Sequence, residues 1–248
     1  MRKAVLVLLV LVAVSFATQR MVVLEGFTNY TCPSCPSADA AWEAIDAQYH
    51  ENMILCEWHM NWPGASDPFY LYNPVDQNNR RSLYGVNSVP DTYVDGTKVS
   101  WSSAGAYVAS RINVPSPMDI VLDGNITGSE GYLSARFEWT DSVPDGYYRA
   151  YFIIVEKDLS AGGRHYNYTM RITEPDYPGW LIPDNEGVHY WTQEFDVDQV
   201  WKVDDVIGYV IVQNFMTKQI VQSARVDLGE WQTPVKETSW GQIKAMEY

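Results

Sequence analysis

Met21-Val22-Val23-Leu24-Glu25-Gly26-Phe27-Thr28-Asn29-Tyr30-Thr31-Cys32-Pro33-Ser34-Cys35-Pro36-Ser37-Ala38 is the stretch that decides the fold. Met21 to Leu24 reads as a short buried strand. Behind the cysteines, Ala38, Ala41, Trp42, Ile45 and Tyr49 form an apolar stripe at helical spacing. The thiols of Cys32 and Cys35 therefore sit at a helix N-terminus, where unpaired backbone N–H groups and the positive end of the dipole stabilise a thiolate. Cys32, the more N-terminal and on this reading the more exposed, is the candidate nucleophile. Cys35, a turn further on, would resolve a mixed disulfide. Pro36 fits a first turn, where its missing N–H breaks no intrahelical bond.

Upstream, Arg2-Lys3, an apolar run from Ala4 to Ala17 and the polar Thr18-Gln19-Arg20 read as a secretory signal peptide, with cleavage after Ala17. The run is short for a bilayer span, and no later segment is apolar enough to be one. The expectation is an exported chain with no transmembrane span after processing, located in a periplasm, at an outer membrane or outside the cell. Export permits disulfides, and a total of three cysteines leaves Cys56 over if Cys32 and Cys35 bond. Cys56 lies in the apolar run Met53-Ile54-Leu55-Cys56 and reads as a buried, inert thiol. The formal charge of −14 becomes two units more negative once Arg2 and Lys3 leave with the signal peptide. With no basic patch carrying interleaved aromatics, nucleic acid is not an expected partner.

After the helix, Met53 to His59 reads as a second strand. A long loop follows from Asn61 to about Val75, and then a short helix through Arg80-Arg81-Ser82-Leu83-Tyr84 that stops at Gly85. Thr92-Tyr93-Val94, the turn Asp95-Gly96 and Lys98-Val99-Ser100 read as a hairpin, and Ala104 to Arg111 as a last helix. This order implies a mixed sheet covered by helices. Residues 113–117, Asn113-Val114-Pro115-Ser116-Pro117, punctuate the chain as a linker. Beyond them helical periodicity is absent, and seven strand-like runs follow: Ile120-Leu122, Tyr132-Trp139, Tyr148-Val155, Tyr166-Ile172, Trp191-Phe195, Val206-Val212 and Ile220-Val226. Leu133, Ala135, Phe137 and Trp139 alternate with polar residues, as on a strand with one buried face. The expected second unit, over 118–230, is an all-β antiparallel sandwich of immunoglobulin-like or jelly-roll kind. Residues 231–248 have no obvious place in it and read as a tether, a docking tail or a disordered end.

Strand, CxxC, helix and then Val89-Pro90 ahead of a hairpin resemble the thioredoxin superfamily, over roughly Met21 to Ile112. More narrowly, Leu24-Glu25-Gly26-Phe27-Thr28, the CxxC-Pro, Asp67-Pro68-Phe69 and Tyr84-Gly85-Val86-Asn87-Ser88-Val89-Pro90 are similar to the Omp-twenty-eight-related outer-membrane and secreted proteins. That resemblance implies a thioredoxin-like domain over 18–112 followed by β-rich sequence. It also implies that Pro90 is the cis-proline that packs beside the cysteines and, with Val89, helps bind a substrate chain. Thr31 stands where many relatives carry Trp, Pro33-Ser34 replaces Gly-Pro, and Gly26 replaces a buried Asp that assists proton transfer. Glu25 is adjacent but, by strand alternation, points to the opposite face.

Two functional classes follow. The first is an exported thiol–disulfide oxidoreductase with Cys32 and Cys35 as the catalytic pair, protein or peptide thiols and disulfides as partners, and no cofactor. The second is a cell-surface binding or structural protein whose β-sandwich makes the contacts and whose thioredoxin-like half is a non-catalytic scaffold; the CxxC taken by itself also reads as a purely structural disulfide. Cys32, Cys35, Cys56 and His59 have the ligand types of a zinc site, but Cys56 and His59 fall on opposite faces of a strand, so no metal is expected. His59 reads either as a framework histidine or as a group that tunes the thiols. Trp62, Phe69, Tyr70 and Tyr72 read either as a wall beside the CxxC or as packing of the loop onto its own domain. Asn29, Asn125 and Asn167 each open an N-glycosylation pattern.

Overall fold

The computed structural model describes residues 18–183 and 187–229. The expected leader and C-terminal tail lie outside the described residues. β1 (Val22–Thr28) is buried along its whole length. The loop carrying the cysteines leads from it into α1 (Cys35–Tyr49), whose inward face is Cys35, Ala38, Asp39, Trp42, Ile45 and Asp46. α1 delivers the chain to β2 (Met53–His59), which runs parallel to β1 with Val22 opposite Met53 and Thr28 opposite His59.

The segment expected to be a long loop instead holds two helix starts, at α2 (Pro68–Tyr72) and α3 (Pro74–Tyr84). Both use the same device. Asp67 and Asn73 cap the free N–H groups with their side chains, and the following proline occupies a first-turn position where no N–H is needed. α3 stops where expected, at Gly85, whose φ of 70° is the left-handed conformation that glycine adopts without a steric penalty. β3 (Asp91–Val94) pairs antiparallel with β1 and turns through Asp95-Gly96, both at positive φ, into β4 (Thr97–Val99). α4 (Ala104–Ile112) then packs beside α1.

Beyond α4 the described residues form strands and one short 3-10 turn at Val203–Asp205: β5 (Met118–Thr127), β6 (Glu130–Trp139), β7 (Tyr148–Glu156), β8 (Leu159–Ala161), β9 (Arg164–Tyr166), β10 (Thr169–Glu174), β11 (Trp180–Leu181), β12 (Val188–Asp196), β13 (Val206–Asn214) and β14 (Ile220–Asp227). All seven strand-like runs coincide with strands, but Tyr166-Ile172 is divided. Its start belongs to a small hairpin, β8–β9, that turns at Gly162-Gly163, both at positive φ.

Nine strands form one sheet in the order β14-β13-β7-β10-β2-β1-β3-β4, with β11 added beside β7. β10 carries this sheet across from the second half, with Thr169 opposite Glu57 and the Glu57 N–H donating to the Tyr168 carbonyl at 2.8 Å. A three-stranded sheet, β12-β6-β5, covers the second half. The expected alternation on β6 is observed, with Leu133, Ala135 and Phe137 fully buried. β7 and β13, by contrast, are apolar on both faces. Tyr151, Ile153, Val155, Ile207, Tyr209 and Ile211 join the core of the first half, while Phe152, Ile154, Val210 and Val212 join that of the second. A continuous apolar run must be covered on both sides. At roughly 1.5–3 kcal/mol per buried large side chain, these two strands tie the cores together. Residues 113–117 are fastened as well, with Ser116 bridging to Thr18 and its hydroxyl donating to the Val221 carbonyl. β14 returns to the start of β1, where its Ser223 hydroxyl donates to the Met21 carbonyl. The molecule is thus mixed α/β, with one large sheet and mostly strands.

Candidate functional site: the Cys32–Cys35 disulfide

Beyond Thr28 the chain leaves the sheet, and one buried side chain shapes its path. The Asn29 side-chain carbonyl accepts from the Thr31 N–H at 2.9 Å and the Thr31 hydroxyl at 2.6 Å. Its amide donates to the carbonyls of Met60 and Gly64. The Asn29 backbone carbonyl accepts the Cys32 N–H at 3.1 Å. Asp67 does the same work from outside. One oxygen caps α2, and the other takes the Tyr30 N–H and His59 Nδ1, both at 2.9 Å. Burial acts to raise the Asp67 pKa, but the His59 hydrogen bond and charge and the backbone N–H groups hold it below the usual carboxylate value.

Cys32 and Cys35 form a disulfide at the start of α1. Ser34, in the N-cap position, makes no side-chain cap. The Cys35 N–H points at Cys32 Sγ, 3.1 Å away. Cys32 Sγ also lies 3.4 Å from the Ser34 hydroxyl and 3.8 Å from the Val89 carbonyl, and Val89-Pro90 is a cis peptide. The structure thus brings together Cys32, Cys35, Val89 and Pro90. Cys32 is 3% exposed and Cys35 0%, while Thr31, Pro33 and Ser34 around them are open to solvent. The expected contrast in exposure between the thiols is therefore slight.

Beneath the disulfide, the two sheet faces differ. A Cβ at Gly26 would meet the Trp42 ring at 2.4 Å, so the indole, held by a hydrogen bond to the Thr92 hydroxyl, occupies the space a side chain there would need. Glu25 points to the opposite face, as alternation requires. It receives Arg80 at 2.6 and 2.8 Å, the Tyr84 hydroxyl and the Trp58 indole N–H. On the Trp42 side lie two other carboxylates. Asp39, one turn past Cys35, accepts from the Thr28 hydroxyl at 2.9 Å and pairs with Arg164. Glu57 is 1% exposed, and neither of its oxygens has a hydrogen-bond partner of normal geometry among the described residues. Burial first, then the Asp39 and Glu43 charges, push the Glu57 carboxyl well above its ordinary pKa. Burial also raises Asp39, against the pull of Arg164.

The remaining candidates separate. Cys56 is fully buried on the Glu25 face, where burial and the Glu25 charge raise its thiol pKa. His59 faces the other way, into Asp67, Phe69 and Tyr166, so it is a buried framework histidine apart from Cys56. The loop aromatics go to different places. Trp62 lies under the Arg81 guanidinium, Phe69 packs on Tyr166, and the Tyr72 hydroxyl donates to Asp198 and accepts from the Trp201 indole. Of the three glycosylation patterns, that of Asn29 is on a fully buried side chain. Asn29, Asp39, Glu57 and Arg164 are the site residues that sequence reasoning missed. A polar residue inside an apolar strand run was the available signal for Glu57, and Gly162-Gly163 was the signal for the hairpin that carries Arg164.

No family model matches the chain, and no curated protein does. Among solved structures, HBP35 of Porphyromonas gingivalis superimposes with a TM-score of 0.73 at 15% identity, over 86% of this chain and 77% of that one. The two chains share a fold. Protein AGR_C_4864 from Agrobacterium tumefaciens matches with a TM-score of 0.57 at 16% identity, over 87% of this chain and 98% of that one. A domain of the outer membrane lipoprotein Omp28 from Porphyromonas gingivalis aligns at a TM-score of 0.36 over 47% of this chain, too low a score to establish a common fold.

Proposed function

We propose that this chain is an exported thiol–disulfide oxidoreductase built on a thioredoxin-like first half. The observation that carries the reading is the Cys35 N–H aimed at Cys32 Sγ from an uncapped helix N-terminus. In the oxidising direction, a substrate thiolate attacks Cys32 Sγ, and the bond to Cys35 breaks with its electron pair left on Cys35, which takes up a proton. A second substrate thiolate then attacks the substrate sulfur of the mixed disulfide. The substrate is released as a disulfide, and Cys32 leaves as a thiolate that the helix N-terminus stabilises. The Val89 carbonyl beside Cys32 is placed to hold an extended substrate backbone. Export rests on the signal-peptide pattern of residues 1–17. No helix among the described residues is long and apolar enough to cross a membrane.

The test is to trap the intermediate. With Cys35→Ser, Cys32 adducts should accumulate as mixed disulfides in extracts of the native compartment. No adducts, together with a wild-type disulfide that resists reduction until the fold melts, would defeat the proposal. The near-complete burial of both cysteines favours a second reading, a surface binding or structural protein stapled by this disulfide. That reading predicts the second outcome.

A further inference from the structure

α1 presents Asp39, Glu43 and Asp46 at i, i+4 and i+7, on one face of the helix. A single short stretch of the second half meets all three. Arg164 pairs with Asp39, the Asn167 amide donates to Glu43 at 2.8 Å, and the Tyr168 hydroxyl donates to Asp46 at 2.7 Å. This stretch begins in the β8–β9 hairpin, whose turn is pressed against the loop ahead of the cysteines. A Cβ at Gly162 would sit 2.7 Å from the Tyr30 ring. Arg164 donates one nitrogen to the carbonyls of Asn29 and Tyr30, at 2.9 and 3.0 Å, and the other to Asp39. Tyr166 lies under the guanidinium and packs edge-on against His59 and Phe69, so the group is held from below. The carbonyl of Asn29 that receives Arg164 also receives the Cys32 N–H.

From this geometry we propose that Arg164 is a positioning residue for the Cys32–Cys35 pair, through which the β8–β9 hairpin of the second half sets the stability of the Cys32 thiolate. The guanidinium places a permanent positive charge one peptide away from Cys32 and fixes the loop against the first turn of α1. Asp39, one turn inside the helix, places the opposing negative charge. The other titratable groups facing this contact are Glu43 on α1, Glu57 and His59 on β2, Asp67 after it and Tyr166 on β9. A charge in a partly buried site acts strongly on a neighbour, so removing either member should shift the Cys32 titration by about one pH unit, a tenfold change in thiolate fraction. The shifts should have opposite signs.

The inference rests on the dithiol reading for its biological meaning but is tested without it. In full-length Cys35→Ser protein, the free Cys32 thiol is titrated by the ultraviolet absorbance of its thiolate. Adding Arg164→Ala should raise the midpoint, adding Asp39→Asn should lower it, and Arg164→Lys, which keeps the charge but not the fork, should fall between. If Arg164→Ala does not fold, Arg164→Lys and Asp39→Asn carry the same sign test. A purely structural clamp would lower thermal stability in all three and leave the midpoint in place. Midpoints that do not move, or that move in the same direction, overturn the proposal. Absence of mixed disulfides in the trapping experiment, together with a disulfide that resists reduction until the fold melts, defeats the oxidoreductase reading and not this one.

Discussion

Glu25 and Glu57 stand on adjacent strands, both out of reach of solvent, on opposite faces of the same sheet. Glu25 is enclosed by a bidentate Arg80, the Tyr84 hydroxyl and the Trp58 indole, and Arg80 is further held by Gln213 from β13. Glu57 has no such shell among the described residues: the Asp39 and Glu43 charges act against its ionised form, and Arg164 and the Tyr168 backbone offset them only in part. One acid is part of the frame that joins the two halves; the other is buried on the α1 side, the side of the disulfide. The difference teaches that burial of a carboxylate carries no single meaning, because the partners it meets decide how it is held and what its burial costs.

Breaking the stronger member should give the largest effect. Glu25→Gln leaves Arg80 as an uncompensated buried cation, and denaturant unfolding should show a loss of about 3–5 kcal/mol. Substituting the weaker member should do the reverse. Because the Glu57 pKa is raised on folding, the folded state holds a proton that the unfolded chain releases above its ordinary pKa, so the penalty grows as pH rises. Glu57→Gln should therefore stabilise the protein near neutral pH, and the gain should fade toward pH 4. Stability curves at the two pH values check the sign, and a loss of stability at neutral pH would refute it. The smallest effect should come from thinning the Glu25 shell while keeping its charge pair. Trp58→Phe removes one donor, at 3.0 Å, and should cost about 1 kcal/mol in the same assay. A loss as large as that of Glu25→Gln would mean that the shell has no redundancy.

Much of the first half was legible in advance because its signals are local. The helical stripe, the Asp95-Gly96 turn and the Gly85 stop each act within a few residues, and each stands where expected. The helices α2 and α3 were equally local but were obscured by the aromatic and proline content of their segment. Asp67-Pro68 and Asn73-Pro74 state both starts. The second half yielded its strands but not their arrangement. β7 and β13 carry two-sided apolar runs, which announce cover on both faces without saying what the cover is. The site divided in the same way. Cys32, Cys35, Val89 and Pro90 could be named from motif and resemblance, and the structure assembles them. Arg164 could not be named, because it lies in the far half of the chain from Cys32 and nothing in its own neighbourhood refers to the disulfide.

The sequence alone determined that a CxxC opens a helix behind a buried strand, since strand period, helical period and turn chemistry are properties of neighbouring residues. Only the tertiary structure decided that Trp42 fills the space at Gly26, that Glu57 is buried without a hydrogen-bond partner of normal geometry among the described residues, and that a hairpin from the far half grips the loop ahead of Cys32. The reason is physical. Packing volume, hydrogen-bond satisfaction and charge pairing depend on which atoms meet across the fold, and those meetings exist only once β10 has joined the two halves into one sheet.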